Sequence, residues 1–449
     1  MIFSRDLDSE LQCWKKDADR KPLVLRGARQ VGKTFAVRQL AGGFDHLIEL
    51  NLERPREREL FSGWNSGREL VERIGLYRGH EIIPGRDLLF IDEIQHSPEA
   101  VRSLRYLHED TTGLHVIAAG SLLEVFSNRE GFSFPVGRVR NLFLFPVTFG
   151  EYLRAKNSVL AGHLFSLDPF AASPNHDLLL EAFNTYAFVG GMPEALAAFA
   201  ESGSYAAARK IHDDIFMGYI EDVEKYSNLA AAKYLTHVID RAPLYAGQRI
   251  TYEKFGESAF RSREMKTAFD VLEQALIVYR ARPSVSTRLP VVEKLRKAPR
   301  LYFLDTGLVN FRAGLTTFFE QQSLDRVYQG KIAEQVTAQE IAARSFQAPS
   351  LQFWIRETGA AETDFIYVFK DMVIPIEVKS GKTGRLKSLN LFMEASPHPY
   401  ALRVYAGPPR VDTVTTDAGK TYYLGSIPYY FLSRLDDVLE WITAEKIQT

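Results

Sequence analysis

Cysteine is nearly absent: Cys13 is the single thiol among 449 residues, so no intramolecular disulfide can form and a disulfide-stapled secreted scaffold is excluded. Ten scattered histidines show no paired spacing, which speaks against a structural zinc site. An excess of one charge is also missing. With 55 Lys and Arg against 56 Asp and Glu the formal net charge is -1, which excludes a surface coated in positive charge but not a local basic stripe able to meet phosphates. No apolar run reaches the ~20 residues that cross a bilayer. Met1 to Arg20 alternates charged and apolar residues without a small-residue cleavage site, so neither a signal nor an anchor is expected there. Repeats and low-complexity segments are missing as well. A cytoplasmic protein without membrane contact is the expectation.

What is present is too long for one hydrophobic core, and two to three domains are expected. From Lys21 to Phe145 short apolar runs alternate with amphipathic stretches, the pattern of a parallel α/β sheet. Strands are expected at Leu23 to Leu25, Leu47 to Leu50, Leu88 to Ile91, His115 to Ala119 and Leu142 to Phe145, with Pro146 ending the last. The all-apolar Leu88 to Ile91 suits a strand buried on both faces. Phe149 to about Tyr226 is rich in Ala, Leu and Glu and reads as helices broken at Ser173-Pro174-Asn175 and Gly190-Gly191-Met192-Pro193. Between Arg241 and Gly314 two helices precede two strand-like runs, an order that suggests a winged helix. The segment between those strands carries Arg288, Lys294, Arg296, Lys297 and Arg300, either a phosphate-contacting loop or a solvated wing. The final unit opens with a helix to about Ser345 and continues as strands at Phe353-Trp354, Phe365 to Phe369, Val373 to Val378 and Ala401 to Tyr405.

The octapeptide Gly27-Ala28-Arg29-Gln30-Val31-Gly32-Lys33-Thr34 matches G-x-x-x-x-G-K-[ST] between an expected strand and helix. In that context the backbone amides curl around phosphates, Lys33 reaches the β and γ phosphates, and the Thr34 hydroxyl joins the shell of a Mg²⁺ ion. Asp92 and Glu93 stand at the end of the Leu88 to Ile91 strand, placed for Asp92 to hold Mg²⁺ and Glu93 to activate a water. The alternative is that the pair only precedes the Ser97-Pro98 helix start as a cap. Ser121, past the fourth strand, is placed like a sensor of the γ phosphate. Arg138, after Gly137, is either the cation that spreads over the transition state, in cis or from a neighbouring copy in a homo-oligomer, or a salt-bridged surface arginine. ATP with Mg²⁺ is the cofactor expected.

Near the other end, Asp364 precedes one strand, and Glu377 and Lys379 lie on the next, two apart and so on one face. A turn near Asp371 would bring Asp364 beside them. Two carboxylates can hold Mg²⁺ or Mn²⁺ while a lysine positions a water, and Glu334 on the preceding helix is placed to complete the shell. The pattern resembles the PD-(D/E)xK nucleases, with Thr363 where proline or an apolar residue is expected. Glu377 and Lys379 can also be read as a same-face strand pair without chemistry, or the fold as one that binds without cutting.

Gly-Ala-Arg-Gln-Val-Gly-Lys-Thr, Phe-Ile-Asp-Glu-Ile-Gln, Gly-Ser-Leu-Leu, Gly-Arg with Leu-Phe-Pro-Val-Thr-Phe-Gly-Glu-Tyr, and Gly-Gly-Met-Pro-Glu together resemble the prokaryotic AAA-type ATPases that carry a C-terminal domain known as DUF4143. The resemblance spans nearly the whole chain. It implies an α/β P-loop core at residues 1–147, a helical lid at 148–230, a winged-helix middle at 231–325 and a restriction-endonuclease-like α/β domain at 326–449. The expected function is ATP hydrolysis coupled to a DNA-associated domain with metal-dependent cleavage. The alternative is an ATP-dependent switch whose C-terminal domain only binds DNA or protein partners.

Overall fold

The structure is a computed structural model in which residues 1–121, 135, 137–171, 173–226, 229–315, 330–379 and 386–444 are described, without the side chains of 224–230. After helix α1 (Leu7–Lys16), strand β1 (Leu23–Arg26) leads into α2 (Lys33–Ala41). β2 (Leu47–Asn51), α3 (Pro55–Glu59), α4 (Gly67–Arg78), β3 (Leu88–Asp92), α5 (Pro98–Asp110), β4 (His115–Gly120) and β5 (Arg140–Phe143) follow. The five strands form one parallel sheet in the order β2-β3-β4-β1-β5. Every residue of β3 and β4 is buried, as a strand covered by helices on both faces requires. Alternation then sorts the side chains. Leu23, Leu25, Phe90, Ile117 and Ala119 pack toward α1 and α2, whereas Val24, Leu89, Ile91, Val116 and Ala118 pack toward α4 and α5. β5 ends two residues before the expected Phe145. Just beyond it the amide of Leu144 still bonds Arg26 O at 2.8 Å, and on the outer edge the amide of Phe143, the last residue of β5, donates to Phe346 O at 2.9 Å.

The helical stretch consists of α6 (Phe149–Lys156), α7 (Ser158–Ser166), α8 (His176–Val189), α9 (Pro193–Ser202) and α10 (Tyr205–Tyr226). Thr148 and Glu151 close a reciprocal capping box at the start of α6, which satisfies amides that helix geometry leaves unpaired. The Gly190-Gly191-Met192-Pro193 break is a close backbone approach. Gly190 has φ 85°, and a Cβ there would lie 2.2 Å from Asp305 Oδ1. The Gly191 amide donates to Asp305 Oδ2 at 2.5 Å. Asp305 is fully buried, which pushes its pKa up to about 6 against the backbone amides that favour its charge.

α11 (Leu229–Arg241), β6 (Gln248–Arg249), α12 (Ser262–Gln274), β7 (Val278–Ser284), β8 (Arg300–Phe303) and α13 (Thr306–Arg312) come next. Met265, Ala268, Phe269 and Leu272 form the buried stripe of α12. β7 and β8 pair antiparallel, and β6 joins the outer edge of β8. The chain ends with α14 (Lys331–Ala342), β9 (Gln352–Trp354), β10 (Phe365–Phe369), β11 (Met372–Val378), α15 (Lys387–Ala395), β12 (Tyr400–Tyr405), β13 (Arg410–Thr415), β14 (Thr421–Pro428) and α16 (Leu435–Thr443). β7 also pairs in parallel with β9, so these strands share a nine-stranded sheet in the order β13-β14-β12-β11-β10-β9-β7-β8-β6. β13 went unread in the sequence because it is a partly exposed edge strand with polar residues on both faces. One apolar cluster runs from α1 through the helical stretch to α16, so the sheets are joined by continuous packing.

Candidate functional site

Gly27 to Thr34 joins the end of β1 to the start of α2. Gly32 has φ 98°, which favours glycine, and a Cβ at Gly27 would lie 2.5 Å from Leu144 O. The loop thereby stays tight enough for the first amides of α2 to face one point. Lys33 is buried, and its Nζ donates to Gly27 O at 3.0 Å and Ala28 O at 2.9 Å. Burial lowers the lysine pKa, while Glu93 and Asp92 oppose that shift.

Thr34 Oγ1 donates to Asp92 Oδ2 at 2.8 Å, and Asp92 Oδ1 accepts the Glu93 amide at 3.0 Å. Burial raises the Asp92 pKa, against the hydrogen bond from Thr34. Glu93 sits in the left-handed region at φ 53°, ψ 42°, a strain worth ~1–3 kcal/mol that clusters at functional positions. Its carboxylate accepts Gln95 Nε2 at 2.5 Å. β4 lies between β1 and β3, so the half-buried Ser121 just beyond it shares an edge with the loop and Asp92. Leu122 and Leu123 of the Gly-Ser-Leu-Leu motif are outside the described residues. Arg138 is exposed, with Nε 3.1 Å from Glu109 Oε1 at the end of α5. A hydroxyl beside a carboxylate, a retracted lysine and an amide-lined turn are the donor set that Mg²⁺ and polyphosphate require.

Two loop-holding contacts went unread in the sequence. Arg5 reaches Val31 O at 3.0 Å and Phe145 O at 2.7 Å, and its Nε donates to Glu151 at 2.9 Å. Glu151 is fully buried, and burial raises its pKa against the pull of Arg5. Arg29, inside the loop, pairs with Asp222 on α10, and Tyr219 OH donates to Arg29 O at 3.4 Å. α10 is therefore latched to the phosphate loop.

At the C-terminal end the β10–β11 hairpin turns at Lys370-Asp371 and brings Asp364 to β11, where its Oδ2 accepts the Val378 amide at 2.8 Å. Lys379 Nζ donates to Glu377 Oε1 at 2.5 Å. Glu377 Oε2 is buried and has no hydrogen-bond partner among the described residues. Arg300, counted with the basic loop in the sequence, lies buried in β8 instead. Its Nη1 is 3.0 Å from Glu334 Oε2 and 3.1 Å from Asp364 Oδ1, and its Nη2 is 2.5 Å from Glu362 Oε1. The guanidinium also stacks 4.9 Å from the centroid of Phe353. Burial works against the charged Arg300, but Tyr302, Glu334, Asp364 and Glu362 outweigh it and raise its pKa. Burial followed by the nearby Asp364 raises the carboxyl pKa of both Glu334 and Glu377, only partly offset by Arg300 and Lys379. The four expected residues do come together, but a fixed organic cation bridges two of the three carboxylates. Arg300 thus occupies one oxygen each of Glu334 and Asp364, while Glu377 Oε2 keeps no hydrogen-bond partner among the described residues.

Residues 19–153 match the AAA domain family, residues 180–318 a domain of unknown function (DUF8612), and residues 329–422 a further one (DUF4143). No curated protein matches the sequence. Similar solved structures include a Walker-type ATPase of Pyrococcus abyssi, 15% identical with a TM-score of 0.44 over 70% of this chain and 96% of that one. The ORC2 protein of Aeropyrum pernix, in ADPNP-ADP complexes, is 12% identical with a TM-score of 0.35 over 70% and 94%. The ORC1 protein of Aeropyrum pernix, in complex with DNA, is 14% identical with a TM-score of 0.29 over 70% and 93%.

Proposed function

The chain carries an AAA domain followed by a DUF4143 domain, and from that premise we propose that it hydrolyses ATP and couples the hydrolysis to DNA held by its C-terminal half. The observation that carries the first part is the Thr34–Asp92 hydrogen bond of 2.8 Å beside a buried Lys33. Bound ATP with Mg²⁺ supplies the phosphoryl group that passes to water. The amides of the loop and Lys33 bind the phosphates, and Lys33 has to leave Gly27 O and Ala28 O to do so. Thr34 and Asp92 would hold the ion, Glu93 takes the proton of the attacking water, and Ser121 donates toward the γ phosphate. The surface salt bridge of Arg138 with Glu109 supports the structural reading of that arginine within one copy. A catalytic role for it in trans requires a second copy. Lys33→Ala is the test: phosphate release that survives it overturns the ATPase reading.

For DNA, the support is the loop between β7 and β8. Arg288, Arg296 and Lys297 are exposed there, interleaved with exposed Leu289, Val292 and Leu295. The loop rises from the acidic cluster, since Arg300 begins the strand at its foot. We read α11, α12 and the β7–β8 pair as the winged helix that presents it, and the strands around β11 as a nuclease-like fold. The Arg300 bridge supports binding without cutting over metal-dependent cleavage, because Arg300 already holds one oxygen each of Glu334 and Asp364. Incubation with branched and linear DNA plus Mg²⁺ or Mn²⁺ separates the two. Cleavage lost in both Asp364→Ala and Lys379→Ala overturns the binding-only reading, and neither cleavage nor binding overturns the DNA reading.

A further inference from the structure

His46 lies far in sequence from His80 and Asp87, yet the three meet at the end of the parallel sheet opposite the phosphate loop. His46 immediately precedes β2, Asp87 immediately precedes β3, and His80 follows the end of α4. Asp87 is fully buried. Its Oδ1 lies 3.0 Å from His46 Nδ1, its Oδ2 lies 3.1 Å from His80 Nε2, and the Ile83 amide donates to Oδ2 at 2.7 Å. The two imidazole centroids are 4.0 Å apart, with ring planes inclined by 46°. One ligand atom from each of the three residues lies within 4.8 Å of the other two. Ligands of a tetrahedral zinc ion, bound at ~2.0–2.1 Å, sit roughly 3.3 Å from one another, so a set spread over up to 4.8 Å has to draw in by up to about 1.5 Å.

We infer that His46, His80 and Asp87 form a binding site for a divalent transition metal of the Zn²⁺ class, separate from the nucleotide site. Two neutral imidazoles and one carboxylate are the borderline ligands that such ions select over Mg²⁺. The Ile83 amide fixes the carboxylate, which is the orienting support that metal ligands need. More than half of the His46 side chain is exposed, at 55%, so a water can take the fourth position. The strand from Asp87 to Asp92 separates the two sites by about 17 Å at ~3.3 Å per residue, so one ion cannot serve both. A bound ion ties the end of α4 to the leading ends of β2 and β3.

The test is a Co²⁺ titration of the full-length protein, stripped of metal by a chelator, without nucleotide. One Co²⁺ per chain with the intense visible absorption of tetrahedral coordination, displaced by Zn²⁺, is the expected result. His46→Ala and His80→Gln each weaken binding by at least ~10-fold, Asp87→Asn does the same while keeping an acceptor for the Ile83 amide, and Thr34→Ala leaves it unchanged. A faint octahedral spectrum, binding as tight as the native chain's in either histidine variant, or loss of the signal in Thr34→Ala overturns the site.

Discussion

The nucleotide site and the C-terminal acidic cluster contain nearly the same chemical groups, lysine with carboxylates at strand ends, and they are finished in opposite ways. In the first, the Asp92 carboxylate accepts a hydroxyl and an amide, and Lys33 rests on carbonyls of its own loop. Each of these contacts can be exchanged for a phosphate or an ion. In the second, Arg300 has already answered Glu334, Asp364 and Glu362. Arg300 comes from a strand more than thirty residues upstream of the nearest of these carboxylates.

The largest effect expected is in the first site. Lys33→Ala lowers ATP turnover by ~10²–10³ or more, as loss of a preorganised cation at developing charge does, measured by phosphate release. Glu93→Gln, which removes the base and keeps the shape, lowers kcat by ~10²–10⁴ while leaving the nucleotide Kd near that of the native chain. Equal losses in binding and turnover would assign Glu93 to the structure of the turn instead.

Arg300→Met sharpens the contrast from the other side. It leaves buried carboxylates uncompensated and destabilises the fold by ~3–5 kcal/mol, read as a fall in Tm. Mn²⁺ then restores part of the Tm in the variant and does nothing for the native chain. An equal Mn²⁺ shift in both would show that the guanidinium does not block an ion.

The same cluster sets a pH dependence. Burial raises the folded pKa of Glu334 and Glu377 above their unfolded values. Their protonated forms therefore add stability that is complete below the ordinary carboxylate range and is lost as the pH rises through the raised values. Tm falls across that window, and Glu334→Gln flattens the fall. The smallest effect belongs to the latch on the phosphate loop. The Arg29–Asp222 pair is partly exposed, and Asp222→Asn changes stability by less than ~1 kcal/mol, with any larger consequence confined to nucleotide affinity.

How much was legible follows from range. The parallel sheet was readable because β1, β3 and β4 are short apolar runs punctuated by glycine and acidic turns, and both faces of β3 and β4 are covered. The phosphate loop was readable because its residues are contiguous. The β10–β11 hairpin announced the meeting of Asp364 with Glu377 through a two-residue turn. Arg5, Asp222 and Arg300 carried no such signal. Each acts on partners far along the chain, and its own surroundings resemble any polar helix, loop or strand start.

The histidines make the same point more sharply. Their spacing spoke against a zinc site, yet His46 and His80 stand side by side, because β2 and β3 are parallel neighbours whose leading ends bring His46 and Asp87 together. Local order, the alternation of strand and helix and the contiguous phosphate loop were determined by the sequence itself, since they depend on neighbouring residues and fixed backbone periods. Which charges meet was decided only by the tertiary structure. Pairing across a sheet and burial of a strand set the distances between side chains, and charge interactions in a buried site depend on those distances and on the exclusion of water.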